Sequence, residues 1–354
     1  MKLVKIRSSL YPICSIDKSY LLCYKYGRFY KYNPQDNTTE LIISIDLGYL
    51  RNILSRFSFT RRRYGLFSVK GCKIDDNRAL ILAFKRFYII NILDKSLTCV
   101  DFPCENKVLH FTPTSKGPIW GDYGYNPQKR SKSVYRYNSD NNKLECLHTF
   151  KDGEINHIHR IIEDEEIDRL YVLTGDFGSS AAIYYTDDDF SSFNLLRSNN
   201  QNYRSCCGIT SRRSLVYATD TPMQLNHLYI IEQGTEKKIT ELNGSCIYSC
   251  VKDKRLYGST TVENQPDEFN NGKNKYKYNL GKGIKDWYVE LFCYEPLTNK
   301  YILIDRRKKD FLPMLAFGYG CYHFPCLSKD YKGPVVCYGY GVMKYDQCLL
   351  KIED

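Results

Sequence analysis

Short strand-like segments recur along this chain in groups of four, and each group spans roughly 40–50 residues. The segments are rich in Tyr, Val, Ile, Leu and Phe, and Asn, Asp, Gly, Ser and Pro separate them. The clearest groups are 157–196 and 204–242, where two strands joined by an acidic or polar turn precede two further strands. Four strands repeated at this period are typical of the blades of a β-propeller.

Seven such groups can be drawn along the sequence, at 1–47, 65–102, 110–150, 157–196, 204–242, 246–305 and 316–354. The sequence therefore predicts an all-β fold, a β-propeller of seven four-stranded blades in a single domain over residues 1–354. Six blades are the alternative because the terminal groups are the least regular, and a β-sandwich or two all-β domains would also use such strands. Helical periodicity favours one short helix near Leu47–Phe57.

Composition excludes several classes of protein. Hydrophobic residues make up 43% of the 354 residues, which is enough for a large core and is unlike a disordered chain. Lys85 and Arg86 interrupt the best apolar run, so no membrane span is expected. The 15 cysteines include no CxxC pair, which argues against a zinc finger. Because the N-terminus has no convincing secretory signal, we expect reduced, mostly buried thiols in a cytoplasmic protein.

The net charge of +11 suits an anionic partner, but the basic residues are dispersed. The densest clusters are Arg61–Arg63 and Arg306–Lys309, and we expect both to be solvated charges in loops. Neither cluster accompanies a nucleic-acid-binding motif, so nucleic acid is not the expected partner. An acidic polysaccharide fits the same charge.

Acidic residues recur at one position of the predicted blades. Asp122, Asp176, Asp220 and Glu263 each follow a second strand, at intervals of 54, 44 and 43 residues. In an antiparallel blade the start of the first strand and the end of the second lie on the same rim, so these acids should gather near the propeller axis. Asp at a strand end also caps turns through the backbone, and that structural alternative stays open.

Two histidines and an arginine open predicted first strands on the same rim. His157 and His159 lie two residues apart, which puts both imidazoles on one side of a strand as half of a metal site, and Arg204 opens the next blade. A divalent metal is thus a candidate cofactor, and no other cofactor is expected. These side chains could instead hydrogen-bond neighbouring blades. The predicted catalytic residues are Asp122, Asp176, Asp220, Glu263 and His157, and the predicted substrate-binding residues are Arg204, Tyr123, Tyr203 and His159.

One turn sequence resembles the Asp boxes of sialidases, whose pattern is Ser/Thr-x-Asp-x-Gly-x-Thr-Trp/Phe. Thr186–Phe193 keeps that spacing, with Phe190 where glycine is expected, and Asn138–Asn142 is a more degenerate copy. The segments Gly121–Pro127, His157–His159, Thr174–Asp176 and Thr219–Pro222 look like those of a little-characterised branch. Over about 65–265 the chain thus resembles the sialidase-like, BNR-repeat propellers. The resemblance implies a propeller of the kind often described as a glycosyl hydrolase, with Asp boxes that shape blades and take no part in catalysis.

The predicted ring of acids, imidazoles and Arg204 suits glycan cleavage. A glycoside hydrolase uses two carboxyl groups, whereas a polysaccharide lyase uses a base and a cation that neutralises a sugar carboxylate. We therefore expect a carbohydrate-active enzyme, hydrolase or lyase, acting on an acidic or heteropolymeric glycan. The alternative is a non-catalytic propeller that binds a glycan or a protein on the same face.

Overall fold

The computed structural model describes residues 1–105, 107–264 and 280–353. Its strands form seven four-stranded antiparallel sheets arranged in a ring, which confirms the predicted β-propeller and the count of seven blades. No helix in the described part of the chain is long and apolar enough to cross a membrane.

The strands of the first half of the chain are β1 (Lys2–Ser8), β2 (Tyr11–Ser15), β3 (Leu21–Lys25), β4 (Arg28–Asn33), β5 (Thr38–Ser44), β6 (Val69–Lys73), β7 (Arg78–Ala83), β8 (Arg86–Asn91), β9 (Ser96–Val100), β10 (Phe111–Thr114), β11 (Gly117–Gly121), β12 (Lys132–Asn138) and β13 (Lys143–Phe150). Those of the second half are β14 (His157–Asp164), β15 (Arg169–Gly175), β16 (Ala182–Thr186), β17 (Asn194–Arg197), β18 (Ser205–Ser211), β19 (Ser214–Thr219), β20 (His227–Glu232), β21 (Thr235–Glu241), β22 (Cys246–Lys252), β23 (Arg255–Thr260), β24 (Tyr288–Glu295), β25 (Lys300–Lys308), β26 (Cys321–His323), β27 (Val336–Tyr340) and β28 (Cys348–Glu353).

Blades 1 to 6 are consecutive meanders, β2–β5, β6–β9, β10–β13, β14–β17, β18–β21 and β22–β25. The first strand of each lines the central channel. Blade 7 combines β26, β27 and β28 with β1, which pairs antiparallel to β28 with Lys2 opposite Glu353. The grouping of 1–47 as one blade was therefore wrong at its start, because the N-terminal strand closes the ring by completing the last blade.

Burial explains the hydrophobic pattern of each blade. The second strand of blade 5, β19, is buried throughout because neighbouring blades cover both of its faces. The outermost strand of the same blade, β21, is partly exposed along its length. Between blades 4 and 5, Leu173 and Ile183 pack in one cluster with Tyr217 and Tyr229. Each blade is thus stabilised chiefly by its neighbours, so the ring is the unit that buries the core.

Two helices follow blade 1, at α1 (Tyr49–Arg56) and α2 (Ser58–Arg63), and a single turn, α3 (Met314–Phe317), precedes blade 7. Short 3₁₀ turns occupy Gly178–Ser180 and Gln201–Tyr203. The helix expected near Leu47–Phe57 is α1. The sequence did not indicate α2 or α3, because neither is long enough to show a helical apolar repeat.

The expectation that Arg61–Arg63 is solvated was wrong for two of its three residues. Arg61 is 4% exposed and Arg62 is 2% exposed, whereas Arg63 is exposed. Arg61 Nε donates to Gln347 Oε1 at 2.6 Å. Arg62 pairs with Asp310, and its Nε donates to the carbonyl oxygen of Phe317 at 2.8 Å. These contacts connect α2 to the segments around the closing blade.

Replacing Arg62 with Met should destabilise the protein by about 2 kcal/mol, because charge-assisted hydrogen bonds to Asp310 and Phe317 are lost in a buried place. Arg63→Met, at the exposed neighbouring position, should change the free energy of unfolding by less than about 0.5 kcal/mol. Chemical denaturation of both variants tests this. Equal effects of the two substitutions would contradict the account of Arg62.

Candidate functional site

Strand register places the predicted residues at one end of the channel. Across the first two strands of blades 4, 5 and 6, His157 is opposite Gly175, Ser205 is opposite Thr219, and Cys246 is opposite Thr260. Residues just beyond these pairs, which include Asp176, Arg204 and Asp220, therefore lie on one rim. We call this end of the channel, where first strands begin, the site rim.

Four predicted residues meet on the site rim around one carboxylate oxygen. Asp176 Oδ1 is 3.4 Å from His157 Nε2, 3.3 Å from His159 Nε2 and 3.1 Å from Arg204 Nη2. The two imidazole Nε2 atoms are 2.9 Å apart. The Tyr123 ring packs against His157, with ring centroids 4.5 Å apart. We call Asp176, His157, His159 and Arg204 the central cluster.

Backbone carbonyls fix the orientation of both imidazoles. His157 Nδ1 is 2.9 Å from the carbonyl oxygen of Gly124, and His159 Nδ1 is 3.0 Å from that of Ser205. A carbonyl can only accept, so each Nδ1 carries the proton and donates. In the neutral rings both Nε2 lone pairs then point at the same small region beside Asp176. The two Nε2 lone pairs repel each other unless a proton or a metal cation lies between them.

Gly175 makes room for this arrangement. A methyl group at Gly175 would approach the His159 ring to 2.2 Å, closer than atoms can pack. The absence of a side chain at this position therefore lets the imidazole lie against the end of β15.

Electrostatics keep Asp176 ionised and His157 neutral. Burial opposes ionisation of Asp176, but Arg204 and the two imidazoles hold its pKa well below its ordinary value. Burial lowers the pKa of His157 although Asp176 favours the imidazolium. Arg204 stays charged, and its Nε and Nη1 are buried with no hydrogen-bond partner in the described structure. The cluster thus offers an anionic oxygen and imidazole lone pairs beside a cation with unused donors.

Asp220 and Glu263 lie beyond Arg204. Asp220 Oδ2 is 3.7 Å from Arg204 Nε and accepts a hydrogen bond from the Cys206 thiol at 3.1 Å. Thr261 Oγ1 donates to Glu263 Oε1 at 3.1 Å. Burial, followed by repulsion from Asp220, raises the pKa of Glu263 to about 7. Glu263 is therefore a buried carboxyl group that can exchange a proton near neutral pH.

Two predicted residues take up other contacts. The Asp122 carboxylate accepts hydrogen bonds from the backbone N–H groups of Glu105 at 3.2 Å and Ser133 at 3.0 Å, and burial raises its pKa to about 6. The Asp122 carboxylate thus bonds the backbone of a preceding loop and of β12, a structural contact that differs from the local turn cap considered in the sequence. Tyr203 packs at the edge of the core between blades 4 and 5, and burial together with the charge of Glu236 raises its pKa. No described contact joins either side chain to the central cluster.

Sequence reasoning missed Cys206 and Tyr319. Cys206 lies two residues after Arg204, a spacing that would have suggested a shared side if the strand were extended back to Arg204. Tyr319 is 40% exposed, and the charge of Glu263 is the first cause that raises the pKa of its hydroxyl group. It lies in a loop between α3 and β26, where no repeat could indicate it.

The spacing of the donors fits a divalent metal. The ligand atoms of His157, His159 and Asp176 all lie within 4.8 Å of one another, as do those of His159, Cys206 and Asp220. Neighbouring ligands about 2.1 Å from one metal ion are separated by roughly 3.0–3.4 Å, which is close to the separations of 2.9, 3.3 and 3.4 Å within the first group. The carbonyl contacts at both Nδ1 atoms supply the outer support that metal-binding histidines have.

The predicted Asp-box segment is a turn between β16 and β17. Thr186 Oγ1 accepts from the backbone N–H of Phe190 at 2.9 Å, and Asp188 Oδ1 accepts from that of Ser192 at 2.7 Å. Thr186 and Asp188 are therefore used within the turn, whereas Asp189 pairs with Arg136 of blade 3. The segment lies on the outer part of blade 4, apart from the central cluster.

No protein-family model matches the sequence, and the search of curated proteins finds no relative. The comparisons thus give no support to the sialidase-like repeats. Solved structures do share the fold. The chain is similar to an oligogalacturonate lyase in complex with manganese, with a TM-score of 0.56 and 9% identity over 99% of this chain and 90% of that chain.

A second oligogalacturonate lyase, from Vibrio parahaemolyticus, gives a TM-score of 0.51 and 9% identity over 99% of this chain and 90% of that one. A chain of a mitotic checkpoint complex gives 0.55 and 8%, over 100% of this chain and 94% of its own. At such identities these likenesses establish the seven-bladed propeller fold.

Proposed function

We propose that the protein is a divalent-metal-dependent polysaccharide or oligosaccharide lyase that cleaves an anionic, uronate-containing glycan at the site rim. The observation that carries this proposal is the convergence of His157 Nε2, His159 Nε2 and Asp176 Oδ1 at metal-ligand separations. Two structural neighbours are oligogalacturonate lyases, one of them in complex with manganese, and the net charge of +11 favours an anionic glycan.

His157, His159 and Asp176 would hold the metal ion. Arg204 beside them would pair with the uronate carboxylate through Nη1, which has no hydrogen-bond partner among the described residues. A bound divalent ion supplies Lewis acidity, which makes the proton next to that carboxylate easier to remove. The positive charges of the metal ion and of Arg204 would both stabilise the form of the substrate in which negative charge accumulates on the carboxylate.

Glu263 is the proposed proton-transfer residue. In β-elimination the C5–H and C4–O bonds break, a C4–C5 double bond forms, a base takes the C5 proton, and the leaving oxygen receives a proton. A carboxyl group with a pKa of about 7 suits such transfers at neutral pH. Tyr319, whose pKa the Glu263 charge raises, keeps its proton at neutral pH and is the proposed donor to the leaving oxygen.

A second candidate function is binding of a glycan or protein at the site rim without catalysis. Asp176 is already paired with Arg204, an arrangement that also serves a purely structural or binding role. The checkpoint-complex chain resembles this protein as closely as the lyases do. The two candidates differ in one respect that can be measured: only the enzyme releases product.

Metal binding should depend on the central cluster. Replacing His157 or His159 with Ala should weaken Mn²⁺ binding by at least about 100-fold, because each substitution removes a ligand. Asp122→Asn is the matched control, since Asp122 occupies the equivalent strand end but accepts hydrogen bonds from backbone N–H groups of a neighbouring loop and strand. Isothermal titration with Mn²⁺ measures the affinities. Binding that survives both histidine substitutions unchanged would place the metal elsewhere.

Glycan cleavage should appear as an unsaturated uronate that absorbs in the ultraviolet. We expect polygalacturonate or a related polyuronate to give this signal, chelation to abolish it, and Mn²⁺ to restore it. Glu263→Gln should lower kcat by about 100-fold or more while the metal still binds. Release of reducing ends without ultraviolet absorbance would identify a hydrolase, and binding without either signal would support the non-catalytic alternative.

The raised pKa of Glu263 predicts how stability depends on pH. Between its ordinary pKa of 4.5 and about 7, the folded protein keeps a proton that the unfolded chain has lost, so stability falls as pH rises through this window. Glu263→Gln removes this loss and should be more stable than the wild type by about 3 kcal/mol at pH 8, with little difference at about pH 4.

The control for this experiment is Glu232→Gln, which neutralises an exposed carboxylate on blade 5. Its difference from the wild type should be small at both pH values. Denaturation curves that show no pH-dependent gain for Glu263→Gln would refute the assignment of a raised pKa.

A further inference from the structure

A second cavity lies in the central channel, apart from the central cluster. It has a volume of about 510 Å³ and is lined by the first strands of the blades. Its wall extends to the turns at 163–166 and 252–254, which join first to second strands at the rim opposite the site rim. None of His157, His159, Asp176 and Arg204 lines it.

Two cations face this cavity. Lys70, on β6, donates from Nζ to the carbonyl oxygens of Val108 at 2.7 Å and Leu109 at 2.9 Å. Arg160, on β14, donates from Nη1 to Ser249 Oγ at 2.8 Å and to the Ser249 carbonyl oxygen at 3.3 Å. These contacts fix both side chains against the channel wall and leave other donors of each group unused.

Neither Lys70 nor Arg160 forms an ion pair with any carboxylate of the described residues, and burial lowers the pKa of Lys70 to about 8. Four other largely buried cations pair with carboxylates: Arg62 with Asp310, Lys132 with Glu105, Arg136 with Asp189, and Arg204 with Asp176. Arg61 is buried without an ion pair, but neutral acceptors on Gln347, Ser55 and Ser9 take up its donors. The cavity is also lined by carboxylates towards the opposite rim, such as Glu163 and Asp164, but these form no ion pair with Lys70 or Arg160. Two cations that face one cavity without a carboxylate partner favour an anion bound beside them.

We propose that the central channel is a second binding site, for a small organic anion whose carboxylate or phosphate group pairs with Lys70 and Arg160. Hydroxyl groups of Thr112 and Ser249 line the same cavity, as do apolar side chains that include Ile161 and Ile209. A charged head with an apolar body therefore matches the cavity better than a fully hydrated ion. The volume lies within the range of small-molecule pockets.

Calorimetric titration of the full-length wild-type protein, at constant ionic strength, tests this site with three probes: inorganic phosphate, hexanoate and the uncharged hexanol. We expect saturable binding of phosphate, hexanoate or both, which also identifies the preferred head group, and no comparable binding of hexanol. Lys70→Met and Arg160→Gln should each weaken the bound anion about tenfold or more, because a charge-assisted contact is lost.

The matched controls are Lys143→Met and Arg51→Gln, which remove exposed cations outside the channel. Both should bind the anion as the wild type does, and so should His157→Ala, because the channel site does not depend on the proposed metal. If Lys70→Met does not fold, Arg160→Gln decides. The proposal is overturned if the wild type binds neither anion, if hexanol binds equally well, or if the Lys70 and Arg160 variants bind like the controls.

Discussion

Closure of the ring is the constraint on which the structure depends. The pairing of β1 with β28 joins the two ends of the chain within one blade, so the seventh sheet is complete only when the N-terminal strand is in place. Each blade buries its faces against its neighbours, as the shared cluster of blades 4 and 5 shows. Blades that are separate in sequence therefore become fixed relative to one another, and the rims of the channel acquire a defined geometry.

The central cluster is a consequence of that geometry. His157 and His159 come from the start of blade 4, Asp176 from the end of its second strand, and Arg204 from the start of blade 5. Their charges balance locally, because Arg204 and the imidazoles stabilise the Asp176 carboxylate in a buried place. The channel beyond differs in this respect, since Lys70 and Arg160 face a cavity without a carboxylate partner in the described residues. The two ends of one channel thus present different chemistry.

The sequence predicted the blades and the site rim, because both depend on a repeat. Strand order within a blade fixes which residues share a rim, and this reasoning correctly placed Asp176, Asp220, His157 and Arg204 on one side. This reasoning did not predict which partners each side chain contacts on that rim. Asp122 occupies the equivalent strand end, but nearby backbone N–H groups of a neighbouring loop and strand satisfy its carboxylate.

Other features depended on contacts between distant parts of the chain. Pairing of β1 with β28 joins the two ends of the sequence, and no local pattern reports it. Burial of Arg62 follows from its partners at Asp310 and Phe317, which lie about 250 residues away in sequence. Tyr319 lies in a loop outside the repeat. Periodic signals therefore predicted the architecture, whereas the pairing of individual polar groups required the structure.

The central proposal is a divalent-metal site formed by His157, His159 and Asp176 of blade 4, with both imidazoles oriented by carbonyl groups of the neighbouring blades. Anomalous diffraction from crystals grown with Mn²⁺ tests it most directly. We expect a strong peak about 2.1–2.3 Å from both Nε2 atoms and from an oxygen of Asp176. Density for the two imidazoles and the carboxylate with no anomalous peak among them, at Mn²⁺ concentrations that saturate any binding seen in solution, would contradict it.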